Sequence, residues 1–379
     1  MEKFAANKKR QCISIAVIAT ILAVTFFLLF RDQELPELLP LLKSLQPAYL
    51  LAAVLAMLAF FAFEALSLRL LLGALRYRPG FCRCYSYALI NFYFSSITPG
   101  CCGGQPSQLY YMKRDGIGLG SSSLTVLLFN VAYHLSAITI ILCALLWGGK
   151  NLLHDLSMIK YLLIYGMTVQ FLCMAAYGFL IFSPKTAPLA VDKVIRLLAK
   201  LHIVKDSAAA EQKMANQLNR YRKGVSYIKK HPLILLKLFA ITTCHVLVLY
   251  SVPYWIYRAL GLSEYSLPAM LAIQTVLTLA LESLPIPGGA GVAEGSYLLV
   301  YGQIFGPALV VPALLLCRGM NYYSGLLAGG LVSAYAHSKR LRLRRLRPRL
   351  GKMIIRSGKT VSALRRYTAL PPMSRELEI

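Results

Sequence analysis

The sequence predicts an all-α polytopic membrane protein with about seven transmembrane helices and two re-entrant broken helical hairpins arranged as an inverted repeat. Three observations carry that expectation. Hydrophobic residues make up 57% of the chain and the mean hydropathy is +0.58, too apolar for an ordinary soluble protein of 379 residues. Apolar stretches of membrane-spanning length alternate with clusters of lysine and arginine. Two breaks rich in proline and glycine, TPGCCGGQPS from Thr98 to Ser107 and LPIPGGAGVAEGS from Leu284 to Ser296, interrupt segments that are otherwise apolar.

In chain order, Lys3, Lys8, Lys9 and Arg10 precede an apolar run from Cys12 to Phe30. The RDQELPELL that follows offers no small-residue cleavage site, so the run reads as an anchor with a cytoplasmic N-terminus rather than a signal peptide. Leu35 to Leu45 is short and contains proline, which suits an amphipathic piece at the outer interface. A second span from Ala48 to Leu72 contains Glu64 and ends before Arg76, Arg78 and Arg83. Cys84 to Ile97, the first break, Gln108 to Met112 and then Lys113-Arg114 form a hairpin with basic residues at both ends, entered from the cytoplasm.

Leu119 to Trp147 is expected to cross outward and Tyr161 to Phe182 to cross back. Residues 184–232 form a basic insert whose VDKVIRLLAKLHIV segment has helical apolar spacing, predicting a cytoplasmic-surface amphipathic helix facing lipid phosphates. Leu233 to Tyr257 then crosses outward. Leu267 to Leu284 approaches the second break and Val292 to Phe305 leaves it, a hairpin entered from outside. Pro312 to Ala336 is the last crossing, inward. Residues 1–338 are therefore the membrane part and 339–379 a basic cytoplasmic tail, with both termini in the cytoplasm.

The formal charge of +26 does not point to nucleic acid, because the basic residues lie mostly between or after apolar spans. There they fit the cytoplasmic bias of basic loops and contact with anionic headgroups. The nine cysteines form no Cys-x-x-Cys and no metal spacing, so they read as packing residues; no metal and no cofactor is expected.

A break of this kind cannot be continuous helix. Proline removes a backbone donor, and clustered glycine supplies freedom a helix does not use. Within a bilayer such backbone must be buried in protein or line a wet cavity. Superposing Pro99 on Pro287 places Gly103 on Gly291. The half-helix N-termini after each break would point amides and positive dipole ends at an anionic group. Gly103, Gly104, Gly288, Gly289 and Gly291 would let a headgroup approach the backbone, with Gln105 and Ser107 adding neutral hydrogen bonds.

Ionisable residues within spans are costly and mark function. Glu294 can bond amides of its loop or pair with Arg318, whose guanidinium fork suits phosphate or carboxylate. An internal ion pair between Arg318 and Glu282 or Glu294 is the alternative to a lipid phosphate. Glu64 and Glu282 are secondary candidates. His134 and His245 read as packed, hydrogen-bonded histidines.

The stretches TPGCCGGQPSQLYYMKRDGI, LPIPGGAGVAEGSYLLVYGQIFG and LLLCRGMNYYSGLLAGGL resemble the transmembrane region of the lysylphosphatidylglycerol synthase/flippase family. The resemblance covers residues 10 to 338. It implies movement of lysyl-phosphatidylglycerol or related lipids between leaflets of a bacterial cytoplasmic membrane, and resistance to cationic peptides. Pro287, Gly288, Gly289, Gly291, Glu294 and Arg318 match its second signature, and Pro99, Gly103 and Gly104 its first. Gln105 stands where relatives often carry an acid. The resemblance does not extend to a transferase domain, so aminoacylation by this chain alone is not expected.

The leading expectation is a phospholipid translocator. A membrane part working with a separate catalytic domain, or an accessory subunit of a lipid-modifying or glycosyl-transferring enzyme, stays open. Expected partners are membrane phospholipids, with a homodimer and a separate aminoacyltransferase left open. The sharpest geometric expectation is that Pro99 and Pro287 lie close together near the midplane.

Overall fold

A computed structural model of the chain describes residues 44–98, 101–155, 160–182, 207–282 and 291–336. The described residues are mostly helical, joined by short turns, and contain no strands. The predicted first span, the interfacial piece before Leu45, the VDKVIRLLAKLHIV helix and the basic tail lie outside them.

Helix α1, Pro47–Ala74, is apolar on all sides, and its 28 residues reach about 42 Å, more than the bilayer's hydrocarbon thickness. Its buried stripe runs through Ala53, Met57, Phe60, Glu64, Leu68 and Leu71, while Leu51, Leu55 and Leu58 face outward. It packs against α2 (Phe81–Ser96), α7 (Pro232–Tyr250) and α8 (Val252–Ala259). The predicted outward crossing at 233–257 is thus two helices meeting at Ser251, because Pro253 cannot donate to the preceding turn.

Helices α2 and α3 (Gly104–Arg114) form an antiparallel pair around the first break. Their outer ends are fastened together: Arg83 and Asp115, equidistant in sequence from Pro99, are 2.7 Å apart, and the Tyr87 hydroxyl donates to Asp115 at 2.6 Å. Neither helix is longer than 16 residues, about 24 Å, so neither alone spans the hydrocarbon. Helix α4 (Leu119–Asp155) follows, then α5 (Lys160–Phe182).

Helix α6, Ser207–Lys230, was not anticipated as a packed element. Tyr221, Val225 and Ile228 bury a narrow apolar edge against Leu124, Leu128 and Phe129 of α4 and Leu71 of α1. Gly120 permits the approach: an added Cβ there would overlap the Gln217 carbonyl. The Gly120 N–H donates to Gln217 Oε1 at 3.0 Å.

Helices α9 (Leu267–Glu282) and α10 (Val292–Phe305) flank the second break and are also short. The Tyr301 hydroxyl donates to Gln274 Oε1 at 2.8 Å, a cross-pair nearly centred in sequence on Pro287. Helix α11, Val310–Arg318, passes through a π-helical turn, Gly319–Tyr323, and continues as α-helix over 324–336.

The two hairpins open towards opposite ends of the bundle. Arg76, Arg78, Arg83, Lys113 and Arg114 collect at one end, where Arg114 Nη2 donates to the Ala336 carbonyl at 2.7 Å. At the other end the Gln46 N–H donates to the Ala259 carbonyl, and Tyr257 packs against Tyr265 before α9 and Phe305 at the end of α10. The α2–α3 pair therefore opens at the basic end and the α9–α10 pair at the other. Among the described residues, three stretches are long and apolar enough to cross a membrane: Pro47–Ala74, Leu119–Cys143 and Pro232–Ala259.

Candidate functional site

At the second break Gly291 has φ +85°, a conformation that suits glycine, and an added Cβ would meet none of the described residues within 4 Å. It is the backbone conformation, not crowding by the described residues, that calls for glycine here. Glu294 lies three residues on, in the first turn of α10, and its Oε2 accepts the Gly291 N–H at 2.6 Å. A carboxylate there satisfies an orphan amide and complements the positive end of the helix dipole.

The other carboxylate oxygen faces Arg318. Arg318 Nη2 and Glu294 Oε1 are 2.8 Å apart, with side chains 18% and 7% exposed respectively. That nitrogen is buried, so the contact is a close ion pair inside the protein. The guanidinium stands over the Tyr322 ring, 5.4 Å from its centre. The Tyr322 hydroxyl donates to the Ser96 carbonyl at 3.1 Å. Ser96 ends α2, two residues before Thr98, so a single chain of contacts runs from Gly291 through Glu294, Arg318 and Tyr322 to the first break. The π turn begins directly after Arg318, and Tyr322 is one of its residues.

The first break is built by Thr98. Its hydroxyl donates to the Phe94 carbonyl at 2.6 Å and accepts the Gly103 N–H at 2.8 Å, closing the turn from within. Cys101 takes φ +54°, rare for a residue with a side chain. Gly103 and Gly104 pack against α2: an added Cβ would lie 2.5 Å from Thr98 Cγ2 in the first case and 2.6 Å from the Asn91 carbonyl in the second. Their small size is used by the hairpin itself. Gln105 Nε2 donates to Asn130 Oδ1 at 3.1 Å, and Ser107 is half-buried, its N–H donating to the Gly103 carbonyl.

Glu64 does not join Arg318. It is 3% exposed and its Oε1 accepts from Asn91 Nδ2 of α2 and Gln108 Nε2 of α3, both at 3.1 Å. One carboxylate on α1 thus ties both arms of the first hairpin. Glu282 ends α9, and its side chain lies outside the described residues. So do Pro99, Pro287, Gly288 and Gly289, and with them the expected proximity of the two prolines. His245 Nδ1 is 2.8 Å from the Phe60 carbonyl and its ring stacks on Phe60; His134 Nδ1 pairs with the Gln170 amide.

Sequence reasoning missed Thr98, Tyr322 and the amides Asn91 and Gln108. Thr98, directly before Pro-Gly, carried a turn signal; the others are polar groups whose partners are distant in sequence. Among the described residues no three histidine, cysteine or acidic side chains gather as a metal site.

These features define a helical, membrane-embedded protein in which two helix breaks are joined by an arginine–glutamate pair. The sequence profile of the lysylphosphatidylglycerol synthase TM region matches residues 11–329, and the chain belongs to that family. It is also similar to a UPF0104 membrane protein of Archaeoglobus fulgidus, 23% identical over 336 residues, which cover 85% of this chain and 96% of that protein.

Proposed function

We propose that the protein is a phospholipid translocator that holds the phosphate of an anionic or aminoacylated headgroup, of the phosphatidylglycerol type, at Arg318 between the two breaks. The observation that carries this reading is the Gly291–Glu294–Arg318–Tyr322–Ser96 chain, which couples the two hairpins at one guanidinium. Broken helices at a midplane binding site, related by an inverted repeat, are a transporter design. The opposite opening of the hairpins supports both being re-entrant. We place the basic end in the cytoplasm, on the bias of basic loops, with the membrane being the cytoplasmic one. Membership of a lipid-related family is consistent with the substrate class.

The test is a leaflet assay in vesicles with fluorescent phosphatidylglycerol and lysyl-phosphatidylglycerol. Wild type should accelerate exchange, while Arg318→Ala and Glu294→Ala should not. Wild-type exchange no faster than in empty vesicles, or unaffected by both substitutions, refutes translocation. In a parallel incubation with lysyl-tRNA and phosphatidylglycerol, formation of product would instead make the chain a transferase.

A further inference from the structure

We infer that Glu294 is a resident counter-anion which a phosphate group displaces from Arg318, so that binding and release at this site is an exchange of anions on one guanidinium. The inference rests on the headgroup reading above and adds what the site does between ligands. Glu294 is held from two sides: Oε2 receives the Gly291 amide at 2.6 Å and Oε1 faces Arg318 Nη2 at 2.8 Å. An amide at a helix N-terminus and a guanidinium fork are the two donor types a phosphate oxygen would select.

The two partners are not equally committed. Glu294 is fixed to its own helix by the short bond from Gly291, and its side chain is only 7% exposed. Arg318 is 18% exposed, with its Nη2 2.8 Å from the carboxylate, and no backbone amide of its own helix holds its guanidinium among the described contacts. As the more exposed of the two side chains, Arg318 is reached by an arriving anion before Glu294, and a phosphate offers the guanidinium a bidentate pair of bonds. Tyr322 keeps the guanidinium in place during the exchange, because its ring lies under the charge while its hydroxyl is anchored to Ser96.

A permanently unpaired cation at this depth is costly, and so is a headgroup that never leaves. A built-in competitor addresses both. It neutralises Arg318 when no lipid is bound and drives release by taking the guanidinium back. Glu294 then lowers affinity and raises turnover, the reverse of an ordinary ligand-binding residue.

The experiment is calorimetric titration of the purified full chain in detergent, using short-chain phosphatidylglycerol, short-chain phosphatidylcholine and inorganic phosphate as separate probes. Wild type, Glu294→Gln and Arg318→Gln are compared. Glu294→Gln, which keeps size and polarity, should bind phosphatidylglycerol about tenfold more tightly than wild type, and Arg318→Gln should lose binding. If inorganic phosphate gains as much, the site recognises phosphate in general; if only the lipids gain, it needs the headgroup in its lipid setting. Either result supports displacement.

Equal or weaker binding by Glu294→Gln, with Arg318→Gln still inactive, overturns the exchange and leaves the headgroup reading intact. Undiminished binding by Arg318→Gln overturns the headgroup reading itself. Should Glu294→Gln fail to fold, wild type carrying isotope-labelled glutamate gives an independent readout. Saturating phosphatidylglycerol should shift a carboxylate stretching band as Glu294 loses its guanidinium, and an unmoved band overturns the proposal.

Discussion

Gly104→Ala isolates the close contact inside the first hairpin. The added Cβ would lie 2.6 Å from the Asn91 backbone carbonyl and closer still to Ser95 Oγ and Asn91 Oδ1, where ordinary contact begins at 3.4 Å. Ser95 can rotate away, but a helix carbonyl cannot, so α2 and α3 must part by about 0.8 Å. Overpacking of this kind costs about 1–3 kcal/mol. The separation also stretches the 3.1 Å bonds that Asn91 and Gln108 make to Glu64, at about 1 kcal/mol each. Against this stands at most about 1 kcal/mol from replacing glycine by alanine in a helix. The net expectation is a loss of about 2–4 kcal/mol, because steric overlap and stretched bonds outweigh the gain in helix propensity.

Thermal unfolding in detergent measures it, with Gly295→Ala and Gly302→Ala as controls. Those glycines lie on α10 with nothing within 4 Å of an added Cβ, so alanine there should be neutral or stabilising by up to about 1 kcal/mol. If Gly104→Ala unfolds with the controls, the arms are not in the contact described. The smallness of Gly104 would then be available to a ligand, and the packing argument is refuted.

Gly291→Ala should cost about 1–2 kcal/mol through its φ of +85°, since none of the described residues crowds it; unfolding at the wild-type temperature would show that the turn relaxes freely. Glu64→Ala takes away the carboxylate that accepts from the Asn91 and Gln108 amides and should lose about 1–3 kcal/mol, whereas Glu64→Gln keeps an acceptor and should lose less; equal losses would show that the charge matters, not the bonds. Tyr322→Phe removes the bond to Ser96 but retains the ring under Arg318. It should cost about 1 kcal/mol of stability and slow lipid exchange in the leaflet assay, while Tyr322→Ala, which also removes the ring, should slow it further.

The sequence by itself determined the class, most helix positions and both breaks. Hydropathy locates spans because every backbone group in hydrocarbon must bond within its own segment, and Pro-Gly clusters mark where that fails. The expected start of α10 at Val292 and its end at Phe305 match the structure, since Gly291 and Gly306 bracket the run, both at positive φ. That Glu294 both bonds its loop and pairs with Arg318 was among the alternatives the residue types allowed.

The tertiary structure decided which alternatives are realised. Glu64 was one more buried acid in the sequence; packing gave it two amides from the first hairpin and kept it from Arg318. Gly103 and Gly104 suited a ligand until α2 occupied the space beside them. Tyr322 was one of many aromatics, and joins the two breaks because its place in the π turn after Arg318 brings its hydroxyl to the Ser96 carbonyl. Helix α6 was hidden by its basic composition, because an apolar edge such as Tyr221, Val225 and Ile228 is a weak periodic signal until a partner such as α4 covers it. Hydropathy depends on each residue alone and survives in one dimension. Partner choice depends on distance between segments remote in sequence, and exists only once the helices have packed.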